Sequence, residues 1–382
     1  MSFEFATAGR IIFGSGRRAL VAKEAASLGR RAFVVAGRSA SRIAPLLSEL
    51  SGEGLEAVVF NVAGEPTVGM VQEAFEKAAG CDLVIAMGGG SVLDCGKAVS
   101  ALLTNSGDLM DYLEVIGKGV PLAHPTVPMI AIPTTSGTGS EVTKNAVVGS
   151  PEHKVKVSMR SPFMVPDLVV VDPELTLSLP KEATACSGLD ALTQLMEAFV
   201  SVKANPFTDA ICRDGMARAA KALPKVCEDG SDLEAREDMA LASLYSGMAL
   251  ANAGLGAVHG FAGPLGGMIE APHGAICASL LPHVMAVNVE ALKARMPGSD
   301  ALIKYEEMAK ILTGDEGATA EDGVVWVSDL CGALELKSLG ELGLTEGAVA
   351  EAVEKGRQAS SMKGNPVVLT DGELEAILFK AF

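Results

Sequence analysis

The sequence is poor in positive charge and in aromatic residues. Lys and Arg together number 31 against 47 Asp and Glu, which gives a net charge of −16 at pH 7. Nucleic-acid binding draws much of its affinity from the neutralisation of phosphates by basic side chains, so this balance argues against a nucleic-acid partner. Aromatic residues make up 4% of the 382 residues. The core must therefore be built mainly from Ala, Val, Leu, Ile and Met.

The sequence also lacks a CxxC pair and a visible targeting segment. Its seven cysteines are an odd number and scattered, so neither a disulfide framework nor a zinc ribbon fits, and we expect most to be small core residues. Cys95 would be reactive only at a helix N-terminus. No basic stretch followed by an apolar run opens the chain, and we find no apolar segment of ~18 residues. These features predict a soluble, cytoplasmic protein that does not bind membranes.

The chain is long enough for two domains, and the pattern of its residue types changes near residue 180. Before that point short β-branched runs alternate with amphipathic stretches, which predicts parallel strands with crossover helices. We expect strands at 32–36, 57–61, 83–87, 129–133 and 168–171, an edge strand or hairpin within 3–13, helices at 39–50, 68–79 and 92–103, and a loop at 115–127. Afterwards Ala/Leu/Met-rich stretches predict helices at 181–203, 206–223, 233–253 and 274–289. We therefore expect an α/β domain at 1–179 and an all-α domain at 180–382.

Two glycine-rich loops follow predicted strands in the first half. Gly88, Gly89, Gly90, Ser91 and Asp94 lie between an apolar run and a helical pattern, where glycines and helix N–H groups can hold a pyrophosphate. The alternative is a tight turn without a ligand. A second loop runs from Pro133 through Thr134, Thr135 and Thr138 to Glu141. Hydroxyl-rich loops at the carboxyl ends of two strands of one sheet favour a ligand site.

The helical half offers a possible metal site. Asp190 and Gln194 are four residues apart and share a helix face, and His259 and His273 stand in glycine-containing surroundings. A carboxylate with two imidazoles suits Fe, Zn, Co or Ni. Each histidine taken alone is more often a hydrogen-bonded structural residue. His124, His153 and His283 have no such neighbours in the sequence.

Taken in order, these motifs resemble the iron-containing (group III) alcohol dehydrogenases. The resemblance covers almost the whole chain, and it rests on five segments: Gly88–Ser91, 133–141, 188–191, 254–259 and 272–274. It implies a Rossmann-like dinucleotide-binding N-terminal domain and a helical C-terminal domain, in an architecture shared with dehydroquinate synthase. It also implies a small alcohol or aldehyde substrate, a nicotinamide that faces a divalent metal, and a homodimer or higher homo-oligomer.

The resemblance also implies roles for individual residues. Gly89, Gly90 and Ser91 would contact the pyrophosphate, together with Asp94 from the same segment; Thr134, Thr135 and Thr138 would contact the adenine and nicotinamide side, and Lys156 the ribose. Asp190, Gln194, His259 and His273 would hold the metal, which makes the two histidines the expected catalytic residues.

The sequence departs from the family at three positions. Gln194 stands where most members have a histidine ligand, and Gly263 where most have a histidine credited with proton transfer. An amide oxygen is the weaker ligand for these metals, so metal dependence is open. Gly37 stands where many members have an aspartate that repels a 2′-phosphate, and Arg38 and Ser39 follow it. A guanidinium pairs with phosphate, so we favour NADP over NAD.

Three functions remain open on the sequence alone. The first is an oxidoreductase that interconverts an alcohol with its aldehyde or ketone with the help of a metal. The second is a metal-independent reductase of the same fold, in which protein donors do the electrostatic work. The third is a non-catalytic nucleotide-binding protein, which the loss of histidines at 194 and 263 favours but the retention of Asp190, His259 and His273 opposes.

Overall fold

The computed structural model describes residues 2–153 and 155–382 and divides into two compact units. One unit is Thr7–Leu177, and the other is Ser178–Phe382 together with the first residues of the chain. Those first residues were expected in the α/β half. They belong to the helical unit because the rings of Phe3 and Phe5 pack on Phe207, and Ala6 exchanges two hydrogen bonds with Asn252.

The first unit contains a six-stranded parallel sheet. Its strands are β1 (Arg10–Phe13), β2 (Arg31–Ala36), β3 (Glu56–Asn61), β4 (Leu83–Gly88), β5 (Met129–Pro133) and β8 (Leu168–Val171). Strands β4, β5 and β8 are buried along their whole length, which is why they read as continuous apolar runs in the sequence. The five predicted core strands are confirmed, and residues 10–13 form the predicted edge strand.

The order of the strands is β1-β8-β5-β4-β2-β3. Strand β2 lies between β3 and β4, so the direction in which strands are added reverses there. Open α/β sheets bind ligands outside the carboxyl ends of the strands at such a switch point. Ala36 of β2 is level with Met87 of β4, and Gly88 is level with Pro133 of β5. The loops that follow these three strands therefore leave from one edge of the sheet.

Helices cover the sheet, and a hairpin extends the unit. The helices are α1 (Val21–Leu28), α2 (Ala40–Gly52), α3 (Val68–Lys77), α4 (Gly90–Leu102) and the single turn α5 (Leu109–Tyr112). Strands β6 (Asn145–Ser150) and β7 (Val155–Arg160) form an antiparallel pair. Neither this hairpin nor α1 was predicted from the sequence. Its expected long loop at 115–127 is confirmed.

The regular elements among the described residues of the second unit are all helices. Its helices are α6 (Lys181–Val200), α7 (Pro206–Glu228), α8 (Leu233–Ala253), α9 (Ala257–Met268), α10 (His273–Arg295), α11 (Asp300–Thr313), α12 (Ala320–Ala333), α13 (Val349–Gln358) and α14 (Asp371–Lys380). One of them corrects the expectation that no apolar segment is long enough for a membrane. By length and composition α10 would suffice, but 78% of its apolar window is buried inside the protein, as in the core helix of a globular unit.

Candidate nucleotide and metal sites

The glycine-rich turn after β4 opens directly into α4. Gly89 is the N-cap and Gly90 the first helical residue, two positions before the expected start. The first N–H groups of a helix have no partner within the helix, and they carry the positive end of its dipole. Gly89, Gly90 and Ser91 thus lie where backbone donors are available to an anion, at the edge where the sheet reverses its strand order.

The second loop packs against this turn. The N–H of Thr134 donates to the carbonyl of Gly88 at 3.0 Å. A Cβ added to Gly90 would lie 2.8 Å from Cγ2 of Thr138, and one on Gly89 would lie 3.3 Å from Cγ2 of Thr135. The structure therefore brings together the predicted residues of both loops, and the glycines are needed for that close approach.

Asp94 lies behind the turn rather than at its open side. Its Oδ1 accepts from the hydroxyl of Ser140 at 2.5 Å, and its Oδ2 accepts from the N–H of Val147 at 3.1 Å. Lys97, which the sequence analysis missed, is fully buried and lies 3.2 Å from Asp94. Its Nζ also donates to Thr143 Oγ1 and to the carbonyl of Ser140. Asp94 and Lys97 thereby fix the second loop, and a direct contact of Asp94 with a cofactor stays a prediction.

The same loop carries a second buried acid, Glu141. It is 2% exposed, and burial raises its pKa from 4.5 to about 7, against the weaker opposing effects of its backbone hydrogen bond and of Lys97. The folded protein therefore retains a proton on this carboxyl group through a pH range in which the unfolded chain releases it.

We expect Glu141→Gln to remove a pH-dependent loss of stability. Because the folded pKa is raised, the wild-type free energy of unfolding should fall as the pH rises from 4.5 to about 7 and then level off. The full difference is at most about 3 kcal/mol, at 1.36 kcal/mol per pKa unit. Denaturant unfolding of both proteins at pH 5 and pH 8 measures it. Identical pH dependence in the two proteins would show that Glu141 does not titrate in this range.

The residues predicted to select the cofactor lie at the carboxyl end of β2. Gly37 has open space where a side chain would begin, and Arg38 and Ser39 are exposed just before α2. Arg38 forms no ion pair with the described residues. Lys156 on β7 forms an ion pair with Glu65, with Nζ 2.6 Å from Oε2. To contact a ribose, the ammonium group of Lys156 would have to bind the ribose and the carboxylate of Glu65 at the same time.

In the helical unit, three of the predicted metal ligands meet. Asp190 of α6, His259 of α9 and His273 of α10 each offer a ligand atom, and Cys277 of α10 joins them, all four atoms lying within 4.8 Å of one another. Asp190 Oδ1 is 3.2 Å from His259 Nε2 and 3.9 Å from His273 Nε2. Asp190, His259 and Cys277 are buried, whereas the side chain of His273 is 36% exposed. The donor set of a carboxylate, two imidazoles and a thiol fits a borderline divalent metal.

A buried glutamate orients His259. Glu197 Oε2 is 2.6 Å from His259 Nδ1, so Nδ1–H donates to it and Nε2 is left for a metal. The same carboxylate accepts the N–H of Val258 at 2.7 Å, and Asn365 Oδ1 accepts that of Ala257 at 3.2 Å. These bonds satisfy the first turn of α9. A Cβ on Gly256 would lie 2.9 Å from Glu197 Oε1, so only glycine permits this approach.

The electrostatics of the cluster favour its ionised forms. Burial lowers the pKa of His259, but Cys277 and the hydrogen bond to Asp190 raise it well above the ordinary value. Burial raises the pKa of Cys277, but the charges of His259 and His273 bring it below the ordinary thiol value. The pKa of Asp190 is likewise lowered, since its bond to His259 and the charge of His273 outweigh burial. Without a metal, the two anionic groups of the cluster are thus balanced by the two histidines, whose pKa values are both raised.

Gln194 lies on α6 one turn after Asp190, and Gly263 lies on α9 one turn after His259, as the helix spacing predicts. The surroundings of each differ from those expected of a ligand histidine. Gln194 is buried on α6, and its Oε1 accepts a hydrogen bond from Ser246 Oγ at 2.8 Å. Gly263 on α9 is exposed, with open space around its Cβ position. His283 is half-buried on α10 and His124 and His153 belong to the first unit, so all three lie outside the cluster.

Cys277 and Glu197 were not among the predicted site residues. Both lie one helical turn from chemically relevant positions: Cys277 is four residues after His273, and Glu197 is three after Gln194. The i, i+4 spacing would have placed Cys277 beside His273. Cys95, in contrast, is not reactive: it lies inside α4 rather than at its start, and burial raises its pKa to about 12.

Comparisons with known proteins identify the family of the chain. The model of the iron-containing alcohol dehydrogenase family matches residues 8–173, and its C-terminal domain matches 184–382. The chain is 35% identical over 340 residues to the 1,3-propanediol dehydrogenase of Klebsiella pneumoniae (88% of this chain, 86% of that one). It is 33% identical over 348 residues to the choline dehydrogenase of Bacillus subtilis (88% and 84%).

Solved structures of similar proteins identify the same family. A crystal structure of a 1,3-propanediol oxidoreductase has a TM-score of 0.92 at 32% identity, with all of both chains covered. Sulfoacetaldehyde reductase from Bifidobacterium kashiwanohense, solved with NAD+, has a TM-score of 0.87 at 28% identity, with 100% of this chain and 99% of that chain covered. The chain therefore belongs to the iron-containing alcohol dehydrogenase family and is an oxidoreductase that interconverts alcohols with aldehydes or ketones.

Proposed function

We propose that this enzyme uses a divalent metal held by Asp190, His259 and His273, takes NADP(H) in preference to NAD(H), and acts on a small alcohol or aldehyde. The observation that carries the proposal is the cluster of ligand atoms within 4.8 Å of one another in the helical unit. The relatives' names refer to propanediol, choline and sulfoacetaldehyde, which supports a small substrate with a hydroxyl or carbonyl group.

The bound groups and the residues of the cluster have separate roles in this reaction. A divalent metal, when bound, would supply Lewis-acid polarisation of the substrate oxygen, and a bound nicotinamide would supply or take up the hydride. Asp190, His259 and His273 would hold the metal, and Glu197 binds Nδ1 of His259, so that Nε2 is the ring nitrogen directed at the cluster. His273 is the most exposed of the three, so it marks the side from which substrate approaches. The seven cysteines are free thiols, which supports a reducing, cytoplasmic location.

The proposal is tested by following NADPH oxidation with a panel of short aldehydes, and NADP+ reduction with the matching alcohols. The metal-dependent enzyme should turn over in both directions and lose activity in a chelator. Undiminished turnover in chelator would indicate the metal-independent reductase instead. Binding of NADPH without any turnover, across the panel and with metal supplied, would indicate the non-catalytic nucleotide-binding protein.

We expect NADPH to bind more tightly than NADH, and Arg38→Ala to remove the difference. An exposed guanidinium at the end of β2 can pair with a 2′-phosphate, and a hydrogen bond to a charged group contributes about 1.5–3 kcal/mol, or roughly tenfold to 100-fold in affinity. Fluorescence titration with both cofactors measures this. Arg30→Ala, which removes an equal charge before β2 at the opposite edge of the sheet, is the matched control. Equal affinity of the wild type for both cofactors would contradict the assignment.

We expect Gly90→Val to weaken cofactor binding at least about tenfold. The valine side chain would collide with Thr138, because even a Cβ would lie only 2.8 Å from it, and would displace the second loop from the turn that presents the N–H donors. Gly52→Val at the end of α2, where a Cβ meets open space, is the control. Circular dichroism verifies the fold of both variants. Normal NADPH affinity in Gly90→Val would mean that this turn has only a structural role.

A further inference from the structure

We infer that Cys277, and not Gln194, is the fourth ligand of the metal in this chain. The inference rests on the proposed metal-dependent function and concerns the composition of the same site. It follows from the placement of the Cys277 sulfur, from the hydrogen bonding of Gln194, and from the ligand chemistry of thiolates.

The distances around Cys277 fit a shared metal. Its Sγ is 3.7 Å from His259 Nε2 and 3.6 Å from His273 Nε2. A tetrahedral ion with metal–S and metal–N bonds of about 2.3 Å and 2.0–2.1 Å separates sulfur from nitrogen by about 3.6 Å. The corresponding separation of nitrogen from oxygen is about 3.4 Å, against 3.2 Å and 3.9 Å for the two histidines and Asp190 Oδ1.

The helix that carries Cys277 fixes this placement. His273 is the first residue of α10 and Cys277 lies one turn later, so their side chains project from the same face. Cys277 is fully buried and has both imidazoles as polar neighbours. Other buried cysteines of the same unit, such as Cys212, have no histidine nearby, and burial raises the pKa of that thiol. Cys277 therefore differs from the thiols that serve only as core residues.

Gln194 is the weaker candidate for the same role. Its amide oxygen already accepts the hydroxyl of Ser246, and a neutral amide oxygen binds borderline metals less strongly than a thiolate does. A carboxylate and a thiolate, the forms in which Asp and Cys bind metals, would together balance the charge of a divalent ion inside a buried cluster. A thiolate also makes the site soft, so it should favour zinc, cobalt or ferrous iron over magnesium or manganese.

Cobalt(II) is a direct probe, because a bound thiolate gives an intense sulfur-to-cobalt charge-transfer band that nitrogen and oxygen ligands do not give. Metal-free full-length protein is loaded with cobalt, and its spectrum and metal content are measured for the wild type, Cys277→Ser, Gln194→Ala and Cys331→Ser. Cys331→Ser is the control, since Cys331 donates to the Ala278 carbonyl near the same helix and serine can still donate. We expect the band in all except Cys277→Ser, which should bind cobalt at least about tenfold more weakly.

Bound cobalt without the band in the wild type, or a band that persists in Cys277→Ser, would overturn the assignment of Cys277 and leave the proposed function intact. Failure of the wild type to bind cobalt, zinc or iron at all would overturn both. X-ray absorption of the zinc-loaded wild type is an independent measurement that needs no variant. It should show a sulfur scatterer at about 2.3 Å, and a first shell of nitrogen and oxygen alone would contradict the inference.

Discussion

Replacing Asp190 with alanine is expected to remove metal binding and turnover together. Its carboxylate lies within 4 Å of Nε2 of both His259 and His273, the two proposed ligand histidines. Loss of a group that only orients a ligand costs about 10–100-fold in metal affinity, so loss of this direct contact should cost at least about 100-fold. Metal titration of the stripped protein, followed by the rate of NADPH oxidation with an aldehyde, measures both effects.

Two further variants separate the role of Asp190 from a general loss of structure. Asp190→Asn retains the shape of the side chain but removes its charge, and it should show the same loss of metal. Asp300→Ala removes an exposed carboxylate at the start of α11 in the same unit and should behave as the wild type. Wild-type metal content and turnover in Asp190→Ala would contradict the assignment of the site.

A second large effect is expected at Gly274, which holds α10 against α6. A Cβ there would lie 2.3 Å from the carbonyl oxygen of Cys186 and 3.5 Å from the Cβ of Asp190. Backbone cannot yield as a flexible side chain does, so Gly274→Ala must separate the helices that carry Asp190 and His273. Overpacking of this kind costs about 1–3 kcal/mol of stability, and we expect the variant to lose most of its metal affinity as well.

Gly263→Ala is the matched control for this experiment, because a Cβ at Gly263 in α9 meets open space. Thermal unfolding and metal titration of both variants give the comparison. If Gly274→Ala binds metal as tightly as Gly263→Ala, the contact between α6 and α10 does not determine the geometry of the cluster.

The parts of the fold that the sequence predicted are those with strong local signals. The buried strands β4, β5 and β8 have continuous apolar runs, and the glycine and hydroxyl loops follow them directly. Because parallel strands present their carboxyl ends at one edge, those loops had to converge, and the contacts between Gly90 and Thr138 show that they do. The hairpin β6–β7 was missed because its strands alternate buried and partly buried residues. They therefore lack the continuous apolar run that marks β4, β5 and β8.

The cluster was predicted only in part because its residues come from three distant helices. Asp190, Gln194, His259 and His273 were singled out from their spacing and surroundings and then through the family resemblance. Nothing local to residues 190–194 indicates that Gln194 bonds to Ser246, 52 positions later. Cys277 and Glu197 were missed for a different reason: a single cysteine or glutamate in an apolar helix has the composition of a core or surface residue. Only the packing of α6 against α10 and α9 brings these side chains to the two histidines.

The most direct test of this account is a titration of metal-free protein with zinc or ferrous iron, in which bound metal and aldehyde reduction by NADPH are measured on the same samples. We expect negligible activity without metal, and a rate that rises in proportion to bound metal until the cluster of Asp190, His259, His273 and Cys277 is filled. Full activity in protein shown to contain no metal, unchanged by added zinc or iron, would contradict it.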